Sequence, residues 1–308
     1  MELQRIIFIS VISVTTFALS LLTARIYALG LKSGTQGIRI ATIIGVVFPL
    51  IFIGANILGR YSDGTLARMI SIFSDTLGGI GLYVFTTSIV LGVVLFIGHL
   101  FDHDIPKTVS LVFLTIAGIL SVTGLIQARM IKVVAYTVPL YEAPQSWDGK
   151  RGVLVSDTHY GLVNYTRFSK KITDKILSLD PDFIMHAGDL YDGPTIDTAP
   201  LTSDWKRLTE QFPVFFAPGN HEEYGPYSEF LTSAKNAGFT VLDDKKVLYE
   251  GVQIVGITYR DKRNEKSAAD ALRGIELDKT IPTILINHPP KFQTSALENG
   301  IDIMVSGH

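Results

Sequence analysis

The chain has 308 residues, no cysteine and a formal net charge of −2. The near-neutral charge gives no basic footprint for nucleic acid, and the missing cysteine excludes disulfides, thiolate zinc sites and cysteine nucleophiles. A mean hydropathy of +0.32 is too apolar for an ordinary soluble enzyme. The apolar excess lies before residue 135, which predicts a transmembrane region over residues 1–131. A linker with a first strand follows over 132–150, and a soluble domain over 151–308.

The membrane half contains four apolar stretches, at about 6–24, 40–58, 79–101 and 108–128. Each approaches the ~20 residues that a helix needs to cross a bilayer, so we predict an all-α bundle of about four helices. Five internal glycines favour close helix packing: Gly45, Gly54, Gly92, Gly118 and Gly124. Buried helices of a soluble fold are the alternative, but four such runs in succession are rare there. The first stretch could also be a signal peptide, with Arg5 ahead of its apolar run.

The loop between the second and third stretches predicts an amphipathic helix. Its apolar residues follow the i, i+3, i+4, i+7 pattern, with Ser62 or Asp63 as the cap: Leu66, Met69, Ile70 and Phe73. Such a helix lies flat at the membrane interface or packs as a short loop helix, and the pattern does not decide between the two.

The basic residues in the loops indicate how the chain is oriented in the cell membrane. Four spans place the amino terminus and the soluble half on one side. Five basic residues lie on that side, namely Arg5, Arg60, Arg68, Arg129 and Lys132. Four lie on the other, namely Arg25, Lys32, Arg39 and Lys107. The positive-inside rule therefore narrowly favours a multi-pass protein with a cytoplasmic soluble domain. A second polar loop, with His99, Asp102, His103 and Asp104, is interpreted as a solvated interfacial segment.

The soluble half alternates short apolar strands with helical segments. Strands are predicted over 132–138, 152–156, 183–185, 214–216, 252–259, 283–286 and 301–305. Helices are predicted over 165–179, 203–212, 227–237 and 267–273. Sites in layered α/β folds gather beyond the carboxyl ends of strands. Metal-competent side chains follow those ends here, namely Asp157, His159, Asp189, Asn220, His288 and His308.

These residue types favour hard or borderline divalent metals. Asp157 and His159 are two apart in extended backbone and can converge on one ion. Oxygen and imidazole donors without sulfur suit Mn, Fe or Zn. Five or six ligands exceed the need of one ion, so two ions sharing a carboxylate are predicted, with Asp189 as the best-placed bridge. Two ions ~3.5–4 Å apart can hold a phosphoryl oxygen and activate water.

The ordered motifs resemble those of the calcineurin-like metallophosphoesterase superfamily over about residues 150–308. They are Asp157-x-His159, Gly188-Asp189-x-x-Asp192, Gly219-Asn220-His221-Glu222, Asn287-His288 and Gly307-His308. The resemblance implies an α/β fold, a four-layer β-sandwich flanked by helices. Together with the membrane half, the chain looks like the membrane-associated bacterial branch that includes YkuE-like and YaeI-like proteins.

The same resemblance implies roles for individual residues. Asp157 and His159 would bind the first metal, Asp189 would bridge, and Asn220, His288 and His308 would bind the second. His221 would act as general acid or electrostatic clamp at the leaving group. The implied reaction is hydrolysis of a phosphate ester or pyrophosphate by a metal-bridging hydroxide. Membrane attachment motivates a lipid-linked substrate. No nucleic-acid partner is expected.

The chain departs from the superfamily pattern at its end. The last motif there is Gly-His-x-His, whereas this sequence stops at Gly307-His308, so we expect a carboxyl-terminal truncation and weak binding of the first metal. The main alternative is a non-enzymatic docking or sensing module with the same fold. A transporter is disfavoured because the spans carry no intramembrane charged pair.

Five further residues near these motifs have mainly structural interpretations. His186 is predicted to be a satisfied core histidine or a support for the site. Asp192 is interpreted equally as a turn residue or a contact of the site. Glu222, Glu223 and Tyr224 are predicted to form a solvated loop.

Overall fold

The computed structural model describes residues 2–61, 64–192, 197–259 and 265–308. The chain forms two compact units, Met1–Lys132 and Val133–His308. The first is entirely helical and the second is α/β. Each unit is described by itself below.

The first unit consists of four long helices: α1 (Glu2–Gly30), α2 (Thr35–Tyr61), α3 (Thr65–Leu100) and α4 (Lys107–Gln127). Each contains a segment long and apolar enough to cross a membrane by length and composition. Helix α1 packs on α2, and α3 packs on α4. The predicted bundle of four apolar helices is therefore confirmed, and α1, α2 and α3 are longer than the apolar stretches suggested.

The amphipathic segment before the third span does not form a separate helix. Leu66, Met69 and Phe73 lie in the first turns of α3, which continues for 36 residues to Leu100. Between these residues and the span the sequence holds no proline, and its weakest helix former, Gly78, costs only about 1 kcal/mol. An apolar medium penalises any broken backbone hydrogen bond by more than that. The proposed caps, Ser62 and Asp63, lie outside the described residues.

The glycines of the helical unit are divided between two environments. A Cβ atom at Gly45, Gly92 or Gly124 would come within 3.3 Å of an atom on a neighbouring helix. Nothing lies within 4 Å of that position at Gly54 or Gly118. The prediction of close helix packing thus holds for three of the five glycines, and the other two need a different explanation.

The second unit contains eight strands and seven α-helices within its described residues. The strands are β1 (Gly152–Val155), β2 (Phe183–His186), β3 (Val214–Phe216), β4 (Thr240–Val241), β5 (Lys245–Tyr249), β6 (Val252–Ile257), β7 (Thr283–Asn287) and β8 (Ile303–Val305). The helices are α5 (Thr166–Leu177), α6 (Ala199–Thr202), α7 (Lys206–Thr209), α8 (Asn220–Tyr224), α9 (Tyr227–Asn236), α10 (Glu265–Gly274) and α11 (Gln293–Glu298). Short 3₁₀ helices cover Gln145–Trp147 and Ser203–Trp205.

The strands form two four-stranded sheets. The first has the order β1-β2-β3-β4 and is parallel throughout. The second has the order β5-β6-β7-β8, with β5 antiparallel to β6 and the rest parallel. Parallel strands place their carboxyl ends at the same edge of a sheet, which is where the predicted ligands follow in sequence.

Alternation along the strands explains the layers. Phe183 and Met185 of β2 pack in one apolar cluster with Val252 and Ile254 of β6, so this cluster lies between the sheets. The odd-numbered residues of β6 point the other way and pack with α10 and α11. Because both faces of β6 are covered, all six of its residues are buried. The predicted sandwich of two sheets flanked by helices is confirmed.

The strand predicted over residues 132–138 does not form. Residues 130–140 contain no strand, and Val134 and Tyr136 are 67% and 83% exposed. The alternating pattern is present, but no neighbouring strand among the described residues pairs with this segment, and an unpaired strand has no sheet to join. Trp147 packs against the α/β unit: its ring lies 5.2 Å from that of Phe183, and its Nε1 donates to the Glu250 carbonyl.

The helix predicted over 203–212 is replaced by two short elements, the 3₁₀ turn Ser203–Trp205 and α7, with α6 directly before them. Trp205 is fully buried there, and its Nε1 donates to the Tyr160 hydroxyl at 3.0 Å. The tighter turn directs this large ring onto the sheet. Packing of one side chain therefore overrides the local helix pattern.

Candidate metal centre

The six predicted ligands come together at the carboxyl ends of five strands. Asp157 and His159 follow β1, Asp189 follows β2, and Asn220 follows β3. His288 and His308 follow β7 and β8 of the second sheet. The contacts below join all six into one cluster, although they lie up to 151 positions apart in sequence.

Asp189 lies at the centre of the cluster. One carboxylate oxygen, Oδ2, is 3.1 Å from His288 Nε2 and 3.8 Å from His159 Nε2. The other, Oδ1, accepts the backbone N–H of His221 at 2.9 Å. Burial alone would raise the pKa of Asp189, but its hydrogen bonds to His288 and His221 outweigh burial and lower the pKa. The carboxylate is therefore ionised, and it lies close to both His288 and His159.

His288 presents a lone pair to oxygen atoms. Its Nδ1 lies 2.6 Å from the Ala187 carbonyl and donates to it, which leaves Nε2 facing Asn220 Oδ1 at 3.0 Å and the Asp189 carboxylate. Three acceptor atoms cannot satisfy one another without a positive charge between them. A cation fits, since metal-binding histidines usually donate their second ring nitrogen to a carbonyl or carboxylate. A proton is the other solution, and burial, which lowers the pKa of His288, is outweighed by Asp189 and the Ala187 carbonyl, which raise it.

Asp157 and His159 form the second, more exposed part of the cluster. Asp157 Oδ1 lies 3.8 Å from His159 Nε2, and Oδ2 accepts hydrogen bonds from Ser156 Oγ at 2.5 Å and from the His308 backbone N–H at 3.0 Å. The buried Nδ1 of His159 has no hydrogen-bond partner among the described residues. The His308 ring lies 5.1 Å from the His288 ring.

Four of the six residues have positive φ angles, which is the left-handed region. The φ angles are +54° at Asp157, +45° at His159, +55° at Asp189 and +68° at His308. Aspartate and histidine tolerate this region better than most residues, but it is still uncommon. Backbone hydrogen bonds hold it in place, since the N–H groups of Asp157 and His159 donate to the carbonyls of Gly188 and Asp189, both at 3.0 Å. Such conformations cluster at functional sites.

Two glycines allow the loops to approach this closely. Gly188 has a φ of +86°, and a Cβ there would lie 2.6 Å from His288 Nδ1. A Cβ at Gly219 would lie 2.2 Å from Asp189 Oδ1. Any larger residue would push a ligand loop away, so glycine is required at both positions.

His221 is held by Asp192 at the open side of the cluster. His221 Nδ1 lies 2.9 Å from Asp192 Oδ1, and this hydrogen bond raises the pKa of His221 above its usual range. The His221 ring is 4.5 Å from that of His159. Ligand atoms of these three residues all lie within 4.8 Å of one another. Asp192 is thus a contact of the site, which the sequence pattern did not decide.

The prediction of a solvated loop at Glu222 is wrong. Glu222 is fully buried, and its carboxylate accepts four backbone N–H groups: those of Asp189 at 2.9 Å, Leu190 at 2.8 Å, Tyr191 at 3.1 Å and Gly219 at 2.7 Å. Glutamate three residues after the N-cap Gly219 is one half of the capping-box pattern, which indicates its contact with the Gly219 N–H but not the other three. The carboxylate joins the loop after β2 to the loop after β3.

His186 lies in the core beneath the cluster, as predicted. It is fully buried, with its ring within 5.7 Å of the Trp205 and Phe216 rings. Its Nε2 is 3.2 Å from the Thr158 hydroxyl, between the two ligands that follow β1. Burial lowers the pKa of His186 to about 3, so the ring is neutral. Its Nδ1 has no partner among the described residues, so the histidine is only half satisfied.

Glu222→Gln tests the carboxylate that joins the two loops. The amide can accept at only one end, so two backbone N–H groups lose their acceptor and face a donor. We expect a loss of about 2–4 kcal/mol in the free energy of unfolding, measured by thermal unfolding of the purified chain. Glu229→Gln, at an exposed position of α9, is the control. Equal stability of the two variants would contradict this role of Glu222.

Comparison with known proteins places the second unit in a family. Residues 151–308 match the calcineurin-like phosphoesterase family. A protein of Helicobacter pylori strain J99 named uncharacterized metallophosphoesterase is 27% identical, covering 51% of this chain and 43% of its own length. Proteins named transmembrane protein with metallophosphoesterase domain, from Danio rerio and Bos taurus, are each 26% identical over 63% of this chain and 48% of their own. The chain thus spans about half the length of the curated relatives it matches. With its family match over residues 151–308, it belongs to the calcineurin-like phosphoesterases.

Proposed function

We propose that this membrane protein hydrolyses a phosphate ester or pyrophosphate bond with two divalent cations. The observation that carries the proposal is the position of Asp189. Its Oδ2 lies within 3.8 Å of imidazole nitrogens from two separate groups, His288 on one side and His159 on the other. One carboxylate between two sets of donors is the arrangement expected of a bridging ligand in a two-metal site.

The ligands divide naturally into two sets. Asp157 and His159 would hold one ion, and Asn220, His288 and His308 the other, with Asp189 shared. All six offer oxygen or imidazole nitrogen, which suits Mn, Fe or Zn. When bound, such ions supply positive charge for phosphoryl oxygens and lower the pKa of water to near neutrality.

The protein's own contribution to the reaction centres on His221 and Asp192. Asp192 Oδ1 accepts from His221 Nδ1, which directs Nε2 away from Asp192. The raised pKa of His221 favours the protonated ring near neutral pH. Water first loses a proton to solvent, and as the resulting hydroxide oxygen bonds to phosphorus and the ester P–O bond breaks, His221 Nε2 donates its proton to the departing oxygen.

Asp189→Asn tests the shared carboxylate. Removing its charge leaves both sets of donors short of an anion, so we expect loss of bound metal and at least a roughly hundredfold fall in hydrolysis, because even supporting residues of metal sites are worth 10–100-fold. Metal content is measured by elemental analysis of the full chain. Activity is measured with Mn against a panel of phosphoesters. Asp148→Asn, at an exposed position of the same unit, is the control.

The same panel of phosphoesters distinguishes a lipid-linked substrate from a soluble one. A lipid-linked phosphoester is proposed because the catalytic unit belongs to a membrane protein. Activity on soluble esters alone would remove the lipid hypothesis. Bound metal without hydrolysis of any compound would favour a docking or sensing module instead.

His221→Gln tests the proton donor. Loss of a general acid typically costs 10²–10⁴-fold, and the cost depends on how strongly the leaving group needs a proton. We expect a roughly hundredfold fall in kcat/KM for an alkyl phosphodiester and a much smaller fall for a p-nitrophenyl ester. Metal content should not change. An equal loss on both substrates would contradict a proton-donating role and favour the electrostatic clamp.

We further propose that α1 to α4 all cross the cell membrane and that the catalytic unit is cytoplasmic, on the balance of loop charges. Because the chain has no cysteine, single cysteines report sidedness directly. In intact cells an impermeant maleimide should label Gly34→Cys, in the loop after α1, and should not label Glu298→Cys until the cells are opened. Labelling of both in intact cells would contradict the four-span arrangement, and the reverse pattern would contradict the orientation.

A further inference from the structure

The helical unit contains a half-open cavity of about 710 Å³ between α1, α2 and α3. This volume lies within the 300–1,000 Å³ range of sites that bind small organic molecules. The cavity is made by residues of the helical unit alone. Nothing in the phosphoesterase chemistry accounts for it.

The cavity owes its shape to contacts between glycines and aromatic rings. A Cβ at Gly78 would lie 2.9 Å from the Phe52 ring, and one at Gly81 would lie 2.6 Å from the Phe48 ring. Because α3 has no side chains there, both rings of α2 rest against its backbone. The rings and the aliphatic side chains around them give walls that are almost entirely apolar.

Hydroxyl groups in the cavity wall form hydrogen bonds within the protein, so they do not require a polar ligand. Thr87 Oγ1 donates to the Tyr83 carbonyl at 2.9 Å, so the Tyr27 hydroxyl, 2.7 Å away, donates to Thr87. Thr23 Oγ1 pairs with Ser88 Oγ at 3.3 Å. Thr16 Oγ1 donates to the Ile12 carbonyl at 2.8 Å, and Ser20 and Ser33 are the other hydroxyl-bearing residues of the lining. A buried water needs two to four polar partners, and the hydroxyl groups of Thr16, Thr23 and Tyr27 are already engaged by protein atoms. Hydrocarbon therefore suits the cavity better than water or a polar headgroup.

The surroundings supply such an occupant. Residues that line the cavity on α1 extend from Thr16 to Ala28, about 18 Å along the helix. This is close to the ~15 Å depth of one leaflet of the hydrocarbon core. The outer faces of α1 and α2 are apolar too, with Val14 and Ile43 both more than 60% exposed. A void of this size would forfeit dispersion contacts that a chain from the bilayer can restore.

We infer that this cavity binds one fatty acyl chain of a membrane phospholipid. The inference rests on the proposed membrane placement of α1 to α3, but not on the phosphoesterase activity. Its occupant is a lipid held by the protein at a defined position, distinct from the lipids that coat the outer helix faces.

Photolabelling tests this directly. The full chain is reconstituted in phosphatidylcholine vesicles that contain a phosphatidylcholine with a diazirine on its acyl chain, irradiated, digested and analysed by mass spectrometry. Ala41 and Phe48 line the cavity on α2, whereas Ile43 and Val47 on the same helix do not. We expect the label to be about tenfold higher at the first pair. Equal labelling of both pairs would overturn the inference.

A filling variant gives an independent check. Ala41→Phe places a ring inside the cavity, and Ile43→Phe places the same ring on the exposed face. Displacing about two methylene groups from contact corresponds to a roughly tenfold loss of binding, so label at Phe48 should fall about tenfold in the first variant and stay unchanged in the second. Unchanged label in Ala41→Phe would overturn the inference. If that variant does not fold, Ala24→Leu fills the same cavity from α1.

Two controls separate this inference from others. Asp189→Asn should be labelled like the unaltered chain, so failure of the hydrolase proposal leaves the lipid site intact. If a second copy filled the cavity instead, Ala41→Cys would form a disulfide-linked dimer under mild oxidation and lipid label would be absent there, which would contradict a bound acyl chain.

Discussion

The buried carboxylate of Glu222 makes the contacts on which the geometry of the candidate metal centre depends. It accepts backbone N–H groups from the loop after β2 and from the loop after β3. The return contact runs from the His221 backbone N–H to Asp189 Oδ1. Because each loop holds the other, the central carboxylate has one position, and the groups that contact it, His159 and His288, are arranged around a fixed point.

The cluster is closed on one side and open on the other. Asp189 and His288 are almost fully buried, with 3% and 0% of their side chains exposed, while Asp157, His159 and His221 keep about a third exposed. A substrate can reach only the exposed part. The buried part contributes charge and position, whereas in the proposed reaction contact with a phosphoryl group would fall to the exposed residues around His221.

Much of this arrangement could be predicted because strand ends are local features. An apolar run followed by a polar turn marks each of the ligand-bearing loops, and β1, β2, β3, β7 and β8 were all placed correctly to within about two residues. The order of the ligands along the chain then limited the chemistry. The burial of Glu222 could not be predicted in this way, because three of the four backbone N–H groups that it accepts lie more than thirty positions away in sequence. The left-handed backbone at Asp157 leaves no trace in the side-chain pattern.

The errors have the same physical origin. The alternation over residues 132–138 is real, but a strand requires a neighbour, and Val134 remains 67% exposed without one. Conversely, β5 was not predicted because its side chains are mostly exposed, and only its pairing with β6 makes it a strand. The predicted helix boundaries were wrong where tertiary packing determines them, as at the buried Trp205. In each case the sequence specifies a tendency, and a distant contact decides whether it is realised.

Helix α3 is too long for the bilayer that it would cross. Its 36 residues extend for about 54 Å, whereas the hydrocarbon layer is about 30 Å thick and helix tilts rarely exceed about 40°. Tilting alone cannot absorb the difference, so the first turns, with Leu66 and Phe73 exposed, must project into the headgroup layer. Membranes with thicker hydrocarbon cover more of this apolar surface. Bilayer thickness is therefore a property by which this protein would be sorted laterally between membrane regions of different composition.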